Sequence, residues 1–192
     1  AWFLGRNPNK KVMMVSHTTD LAVDFGRKVR NLIATDEYSS IFPTVRLASD
    51  SKSAGRWNTN SGGEYYACGI GSSIAGRGAD LLLIDDPHSE QDVINGNFEV
   101  FEKAYEWFTF GARTRLMPGG RVAIIQTRWH MDDLTGRVVR DMGQNERSDQ
   151  YEVVEFPAIL DMVDEKTKKS TQKPLWPEFF DLEALLRTKA SM

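Results

Sequence analysis

Two adjacent carboxylates have the clearest claim to chemistry in this chain. Asp85 and Asp86 fall in the run Gly76-Arg77-Gly78-Ala79-Asp80-Leu81-Leu82-Leu83-Ile84-Asp85-Asp86-Pro87-His88-Ser89-Glu90. The large apolar residues Leu81 to Ile84 lead straight into the two acids, and a short unbroken apolar run reads as a strand buried on both faces, as in a parallel sheet. Open α/β sheets bind ligands at the carboxyl ends of their strands, which is where Asp85 and Asp86 emerge. Two acids there suit Mg²⁺, which is commonly held by one or two carboxylates together with phosphate oxygens and water. The plainer reading is a turn after a core strand, capped by the acids and stopped by Pro87.

A second polar strand end supplies possible partners. Arg121-Val122-Ala123-Ile124-Ile125 delivers Gln126-Thr127-Arg128-Trp129-His130. In a nucleotide hydrolase the first acid after the strand organises Mg²⁺ and its waters, and the second orients and activates the attacking water. Asp85 and Asp86 fit those roles in that order. Thr127, with Gln126 beside it, is placed to sense a terminal phosphate and relay its loss. Arg128 and His130 either join that site or simply fix the corner into the next helix. Arg77, in a glycine loop, could stabilise charge on a transferring phosphoryl group from a neighbouring subunit; the alternative is a loop salt bridge with Asp80 or Asp86. His17 ends a further strand and could meet a ligand, although an ordinary turn histidine is the better reading. Arg56, Lys52 and Arg128 could touch phosphate, yet nothing separates them from surface charge.

The elements that would position these residues alternate. Val12-Met13-Met14-Val15 reads as a buried strand, and Ser16-His17-Thr18-Thr19 as its turn, with Thr18 or Thr19 capping a helix from about Asp20 to Ala34. Leu21, Phe25, Val29, Leu32 and Ile33 form its apolar stripe, with Arg27, Lys28 and Arg30 on a solvated face. Residues 35 to 62 read as irregular, anchored by Ile41, Phe42 and Pro43. A hairpin turns at Asn58 to Gly63 and returns through Glu64 to Cys68. A long helix is predicted from Asn95 to Met117, with Phe98, Phe101, Tyr105, Phe108 and Ala112 on one face and Pro118-Gly119-Gly120 ending it. Arg121–Ile125 is the third buried strand, and Asp132 or Asp133 caps a short helix. Val153 to Phe156 reads as a further strand, and 161 to 173 as an exposed loop. Leu175-Trp176-Pro177 and the last helix read as a connector. The sum is an α/β fold with a mostly parallel sheet flanked by helices, its strand ends at Ser16-His17-Thr18, Asp85-Asp86 and Gln126-Thr127-Arg128 sharing one edge.

Residues 71 to 78 nearly spell a phosphate-binding loop, but that reading fails. Arg77 and Gly78 replace the required lysine and Ser/Thr, and the loop leads into a strand instead of following one. Bulk composition is compatible with many functions. The 192 residues are 41% hydrophobic and 27% charged, as expected of one soluble globular domain with a small appendage. The net charge of −3 leaves nucleic-acid binding open, because a local basic patch can coexist with it. Cys68 is the sole cysteine, which excludes a disulfide framework and points to a reducing compartment. No apolar run is long enough to span a bilayer. Both ends read as cut: Trp2-Phe3-Leu4-Gly5 resembles a helix end, and the final helical pattern lacks a cap.

Gly76 to Pro87, together with Ile124-Ile125-Gln126-Thr127-Arg128-Trp129-His130-Met131-Asp132-Asp133-Leu134-Thr135-Gly136-Arg137, closely resembles the large terminase subunit of tailed bacteriophages. Val15 to Thr18, Leu21 to Gly26 and Leu175 to Glu178 look like the same family, in the same order. The resemblance implies the ATPase domain of a DNA-packaging motor, a P-loop NTPase of the additional-strand (ASCE) type truncated at its N-terminus. It implies ATP and Mg²⁺ as cofactors, with double-stranded DNA, a portal protein, the small terminase subunit and a homo-oligomeric ring, commonly a pentamer, as partners. The place of action would be the host cytoplasm, docked transiently on a procapsid, with no membrane. By motif, Asp85 takes the Walker B Mg²⁺ position, Asp86 the catalytic carboxylate and Thr127 the coupling position between Gln126 and Arg128; Arg77 matches an arginine proposed in some relatives as a finger acting in trans. Residues 1–160 would be a partial ATPase domain and 161–192 a connector toward a nuclease domain. Three departures stand out. Many relatives carry Glu at the Asp86 position, the Walker A loop would lie upstream of Ala1, and the nuclease acids would lie beyond Met192. The chain alone should therefore be a poor ATPase or none. Two competitors are a Mg²⁺-dependent nuclease using Asp85, Asp86 and His88, with Asp132 and Asp133, and a non-catalytic α/β module that binds DNA or packaging partners.

Overall fold

The computed structural model describes residues 1–51, 53–163 and 170–191. Two compact units are present, Ala1–Asp149 and Gln150–Met192. The first unit is built on a five-stranded sheet of order β2-β3-β1-β4-β5, comprising β1 (Lys11–Ser16), β2 (Arg56–Asn58), β3 (Glu64–Gly69), β4 (Ala79–Asp85) and β5 (Leu116–Ile125). β1 pairs in parallel with β3 and β4, β4 in parallel with β5, and only β2 runs antiparallel, against β3. The fold is α/β with a mostly parallel sheet, as the apolar runs predict.

One sheet face packs on α1 (Trp2–Arg6), α2 (Thr19–Ile33) and α3 (Asp36–Ile41). Its core joins Val12 and Met14 of β1 with Tyr65 and Ala67 of β3, Ala22 and Ile33 of α2, and Leu4, Tyr38, Val45 and Trp57. Thr18 caps α2 as expected, its hydroxyl accepting the Leu21 N–H. The stretch after residue 35 is more ordered than its composition suggests. Thr35 accepts the Tyr38 N–H and starts α3, and the anchors are Tyr38 and Val45, whereas Ile41 is exposed. The hairpin stands as predicted, with Trp57 stacked on Tyr65 at 4.9 Å and donating its indole N–H to the Gly26 carbonyl.

The predicted helix from Asn95 to Met117 is broken up. The segment runs through α4 (Glu90–Ile94), α5 (Glu99–Glu106), a π-helical turn (Trp107–Ala112) and a 3₁₀ turn (Arg113–Arg115). The π turn lets Trp107 donate its indole N–H to the Ser72 carbonyl while Phe101, Phe108 and Ala112 stay buried on one side. Phe98, placed on that stripe by spacing, is half exposed. Pro118-Gly119-Gly120 does not end a helix but lies inside β5, where the register with β4 shifts between Ala79 and Leu81. Gly119 adopts φ +76°, which a residue with a Cβ resists. Nor is β5 a buried strand: it forms the sheet edge, and Met117 and Ile125 are exposed. α6 (Leu134–Gln144) completes this unit.

In the second unit β6 (Ile159–Val163) pairs antiparallel with β7 (Ser170–Pro174), followed by α7 (Leu182–Ala190). The expected exposed loop at 161–173 is therefore paired strand at 161–163 and 170–173, and 164–169 lies outside the described residues. Val153 to Phe156 forms no strand. No helix of the described residues is long and apolar enough to cross a membrane.

Candidate functional site

The sheet order creates a crevice at the acids. β1 connects to β3 on one side of it, and β4 connects to β5 on the other. Crossovers between parallel neighbours are right-handed almost without exception, so α2 and α5 cover opposite faces. The connections therefore diverge between β1 and β4, and the carboxyl ends of such a strand pair form the usual ligand crevice of an α/β sheet. Ser16 and His17 leave β1 there, and Asp85 and Asp86 leave β4.

Asp86 ties the three strand ends together. Its N–H donates to the Ile125 carbonyl at 2.9 Å, and its carbonyl accepts the His17 N–H at 3.1 Å. Its carboxylate Oδ1 accepts the Thr127 N–H at 3.1 Å. Asp86 is the non-glycine residue with a left-handed backbone among those described, at φ +41°. Such strain persists where the surroundings over-determine it, and it clusters at functional sites. The expectation that the three ends share one edge therefore holds, with Asp86 itself as their junction.

Asp85 behaves differently from its neighbour. It ends β4 opposite Ile125, on the face of Leu81 and Leu83. Partial burial, and secondarily the Asp86 charge, push its pKa up. A cation alongside would offset that cost, so the chemistry of the pair fits Mg²⁺ with water and phosphate oxygens as the remaining ligands. Asp86, by contrast, lines a cleft of about 460 Å³ with His17, His88, Thr127 and Trp129.

Several polar atoms around these strand ends are enclosed without a partner: Ser16 Oγ, His17 Nδ1, and both amide atoms of Gln126. Ser16 is fully buried, and Thr127 beside Gln126 is exposed. Buried polar atoms normally find partners; Arg115 Nε and Thr135 Oγ1 are the other enclosed atoms without one among the described residues.

The corner after β5 is held by Asp133, which is fully buried. It caps α6 by accepting the Gly136 N–H at 2.8 Å, and also takes the Trp129 and His130 N–H groups. Arg128 Nε reaches both of its oxygens at 3.0 and 2.9 Å. Arg128 thus fixes the corner, one of the two roles the sequence left open. His88, also buried, accepts the Leu134 N–H on Nε2 at 3.1 Å and packs edge-on against Phe101. This pin between the acid loop and α6 was not legible in the sequence, where a histidine three residues after an acid reads as a ligand. Its occupied Nε2 weakens the nuclease constellation, as do the commitments of Asp132 to Arg140 and of Asp133 to Arg128. Among the described residues no group of three or more His, Cys, Asp or Glu could hold a metal.

Arg77 is not brought to the acids. It precedes β4 while Asp86 follows it, about 20 Å along a seven-residue strand. Its guanidinium lies 3.9 Å above the Tyr66 ring and pairs with Glu64 at 3.3 Å. The expected loop pairing with Asp80 or Asp86 is not made, because Asp80 is taken by Lys10 at 2.7 Å. Arg56 also pairs with Glu64, and Lys52 lies outside the described residues. No protein-family profile matches the chain, and no curated protein matches it.

Proposed function

We propose that this chain is part of the ATPase of a viral genome-packaging motor, a terminase large subunit that couples ATP hydrolysis to movement of double-stranded DNA into a procapsid. The observation that carries the reading is the Asp86 junction, where a single carboxylate contacts the end of the neighbouring strand at Thr127. A carboxylate that activates water, and whose surroundings also hold the strand carrying the coupling residue, links chemistry to movement of that strand. Asp85 is proposed to hold Mg²⁺, Asp86 to orient the attacking water, and Thr127 with Gln126 to respond to loss of the terminal phosphate, at the end of a strand whose corner Arg128 fixes. Mg²⁺ would supply charge neutralisation between the phosphates.

The P-loop type of the fold belongs to this proposal. Leu81, Leu83 and Asp85 share a face with Ala123 and Ile125, and that half of the sheet is only partly covered. A cavity of about 220 Å³ opens between Leu81, Leu83, Phe25 and Phe3. β5 has one neighbour, so its outer edge offers unpaired backbone groups. On this reading, a phosphate-cradling strand and helix would pack against these uncovered places. Arg77, already paired, would act only across a subunit boundary in a homo-oligomeric ring. The portal protein, small terminase subunit and cytoplasmic setting follow from the same reading.

The decisive experiment uses a longer form of the protein that binds ATP. Asp86→Asn is expected to abolish ATP hydrolysis while leaving ATP binding measurable. Unimpaired turnover would remove Asp86 from the catalytic role.

A further inference from the structure

We infer that His17 is a phosphate-contacting residue of the cleft, presenting an Nε2–H donor to a Mg²⁺-associated phosphate beside Asp86. The inference rests on the phosphoryl-transfer reading of the cleft and adds to it a residue from β1, the strand on the far side of the crevice from the coupling strand.

Three observations carry it. First, His17 stands at the carboxyl end of β1 where the sheet connections diverge, and its backbone N–H holds the Asp86 carbonyl at 3.1 Å. The imidazole is therefore anchored to the acid junction through its own main chain. Second, His17 lines the same cleft as Asp86 and Thr127. Third, its Nδ1 is enclosed and has no hydrogen-bond partner.

The third observation decides the tautomer. A neutral imidazole carries one donor and one acceptor nitrogen. An enclosed N–H without an acceptor is rarer in folded proteins than an under-used lone pair. The proton therefore belongs on Nε2, and the ring meets the cleft with a donor. Asp86 and Glu90 also line the cleft and present only acceptors when ionised. A lone anion would be repelled by them. A phosphate that brings Mg²⁺ with it, and whose remaining oxygens need donors, fits both sides: Asp86 and Glu90 face the cation or its water, and His17 faces an oxygen. The side chain takes no proton and forms no bond; it orients the group that is transferred or released.

Two measurements on the chain itself test this. The ¹⁵N shifts of the His17 imidazole at a pH where it is neutral report its tautomer; Nε2–H is expected, and Nδ1–H overturns the inference. Titration with inorganic phosphate plus Mg²⁺ is then followed at the His17 ring and at the Thr127 amide. Saturable shifts at both are expected in the native chain, retained in His17→Gln, whose amide N–H₂ replaces the donor, and lost in His17→Leu. An unresponsive His17 ring, or an undiminished Thr127 response in His17→Leu, overturns the inference. His17 is only half buried, and its structural hydrogen bond is made by the backbone, so both variants keep the fold; an unchanged amide spectrum for β1 checks this. Phosphate binding of this kind, together with unimpaired ATP hydrolysis by Asp86→Asn in the longer protein, would leave the inference standing and remove the proposed ATPase mechanism instead.

Discussion

The Asp86 carboxylate accepts the backbone N–H of Thr127 at 3.1 Å across the gap between β4 and β5. The residue making this bond is held at φ +41°. Asn keeps an acceptor at the same position and tolerates a left-handed backbone, whereas Ala does neither. Asp86→Ala is expected to be less stable than Asp86→Asn by about 1–2 kcal/mol in urea unfolding. Equal stability would mean that neither the bond nor the backbone conformation matters to the folded state.

His88 links the acid loop to α6 only while Nε2 is unprotonated. Burial holds its pKa below the ordinary histidine value, opposed by Asp133 and Asp92. The folded state therefore binds fewer protons than the unfolded one. The resulting stability is complete above about pH 6.5, the unfolded value, and is lost as pH falls through the depressed folded pKa. His88→Gln keeps an acceptor but cannot titrate. Unfolding free energies of the two proteins should converge at acid pH relative to pH 8; parallel pH profiles would assign the acid sensitivity elsewhere.

Asp133 and Arg128 make one ion pair with unequal stakes. Asp133 is fully buried and satisfies several backbone donors, while the Arg128 side chain is 48% exposed. Asp133→Ala is expected to cost about 2–4 kcal/mol through lost capping and unsatisfied N–H groups. Arg128→Ala should cost less than Asp133→Ala, because Asp133 keeps its backbone N–H donors when the half-exposed guanidinium is removed. Gly136→Ala should also be strongly destabilising, because a Cβ there would lie 2.1 Å from the Met131 carbonyl oxygen. Thermal unfolding of the three variants gives the order directly.

The open edge of β5 predicts a pattern of amide exchange. Val12 to Val15, flanked by strands on both sides, should exchange slowest. The outward N–H groups of β5, which have no strand beside them, should exchange much faster than its inward ones. A strand bound at this edge would slow the outward set. Equally slow exchange of the outward and inward sets would show that this edge is not open.

Much of this arrangement was legible locally. Val12 to Val15, Leu81 to Ile84 and Arg121 to Ile125 are strands because each is a short apolar run, and Thr18 and Asp133 cap helices because their side chains bond a nearby N–H. The segment from 95 to 120 was misread for a physical reason. Helical spacing of Phe101, Phe108 and Ala112 records only that they share a buried side. It does not record the π turn that lets Trp107 reach Ser72, nor the bulged register that draws Pro118 to Gly120 into β5. Arg77 was equally opaque, since the competition between Glu64, Asp80 and Asp86 for its charge is settled by which strand ends lie together.

The sequence by itself determined the strands, the helix caps and the placing of two acids at a strand's end, because each depends on residues within a turn or two of one another. Only the tertiary structure decided that Asp86 meets His17, Ile125 and Thr127, that His88 serves α6, and that Asp85 sits on the half-covered face. Those partners are tens of residues apart in the chain. They are fixed by the order β2-β3-β1-β4-β5, which follows from crossover handedness and the burial of whole faces, neither of which is written in any local stretch.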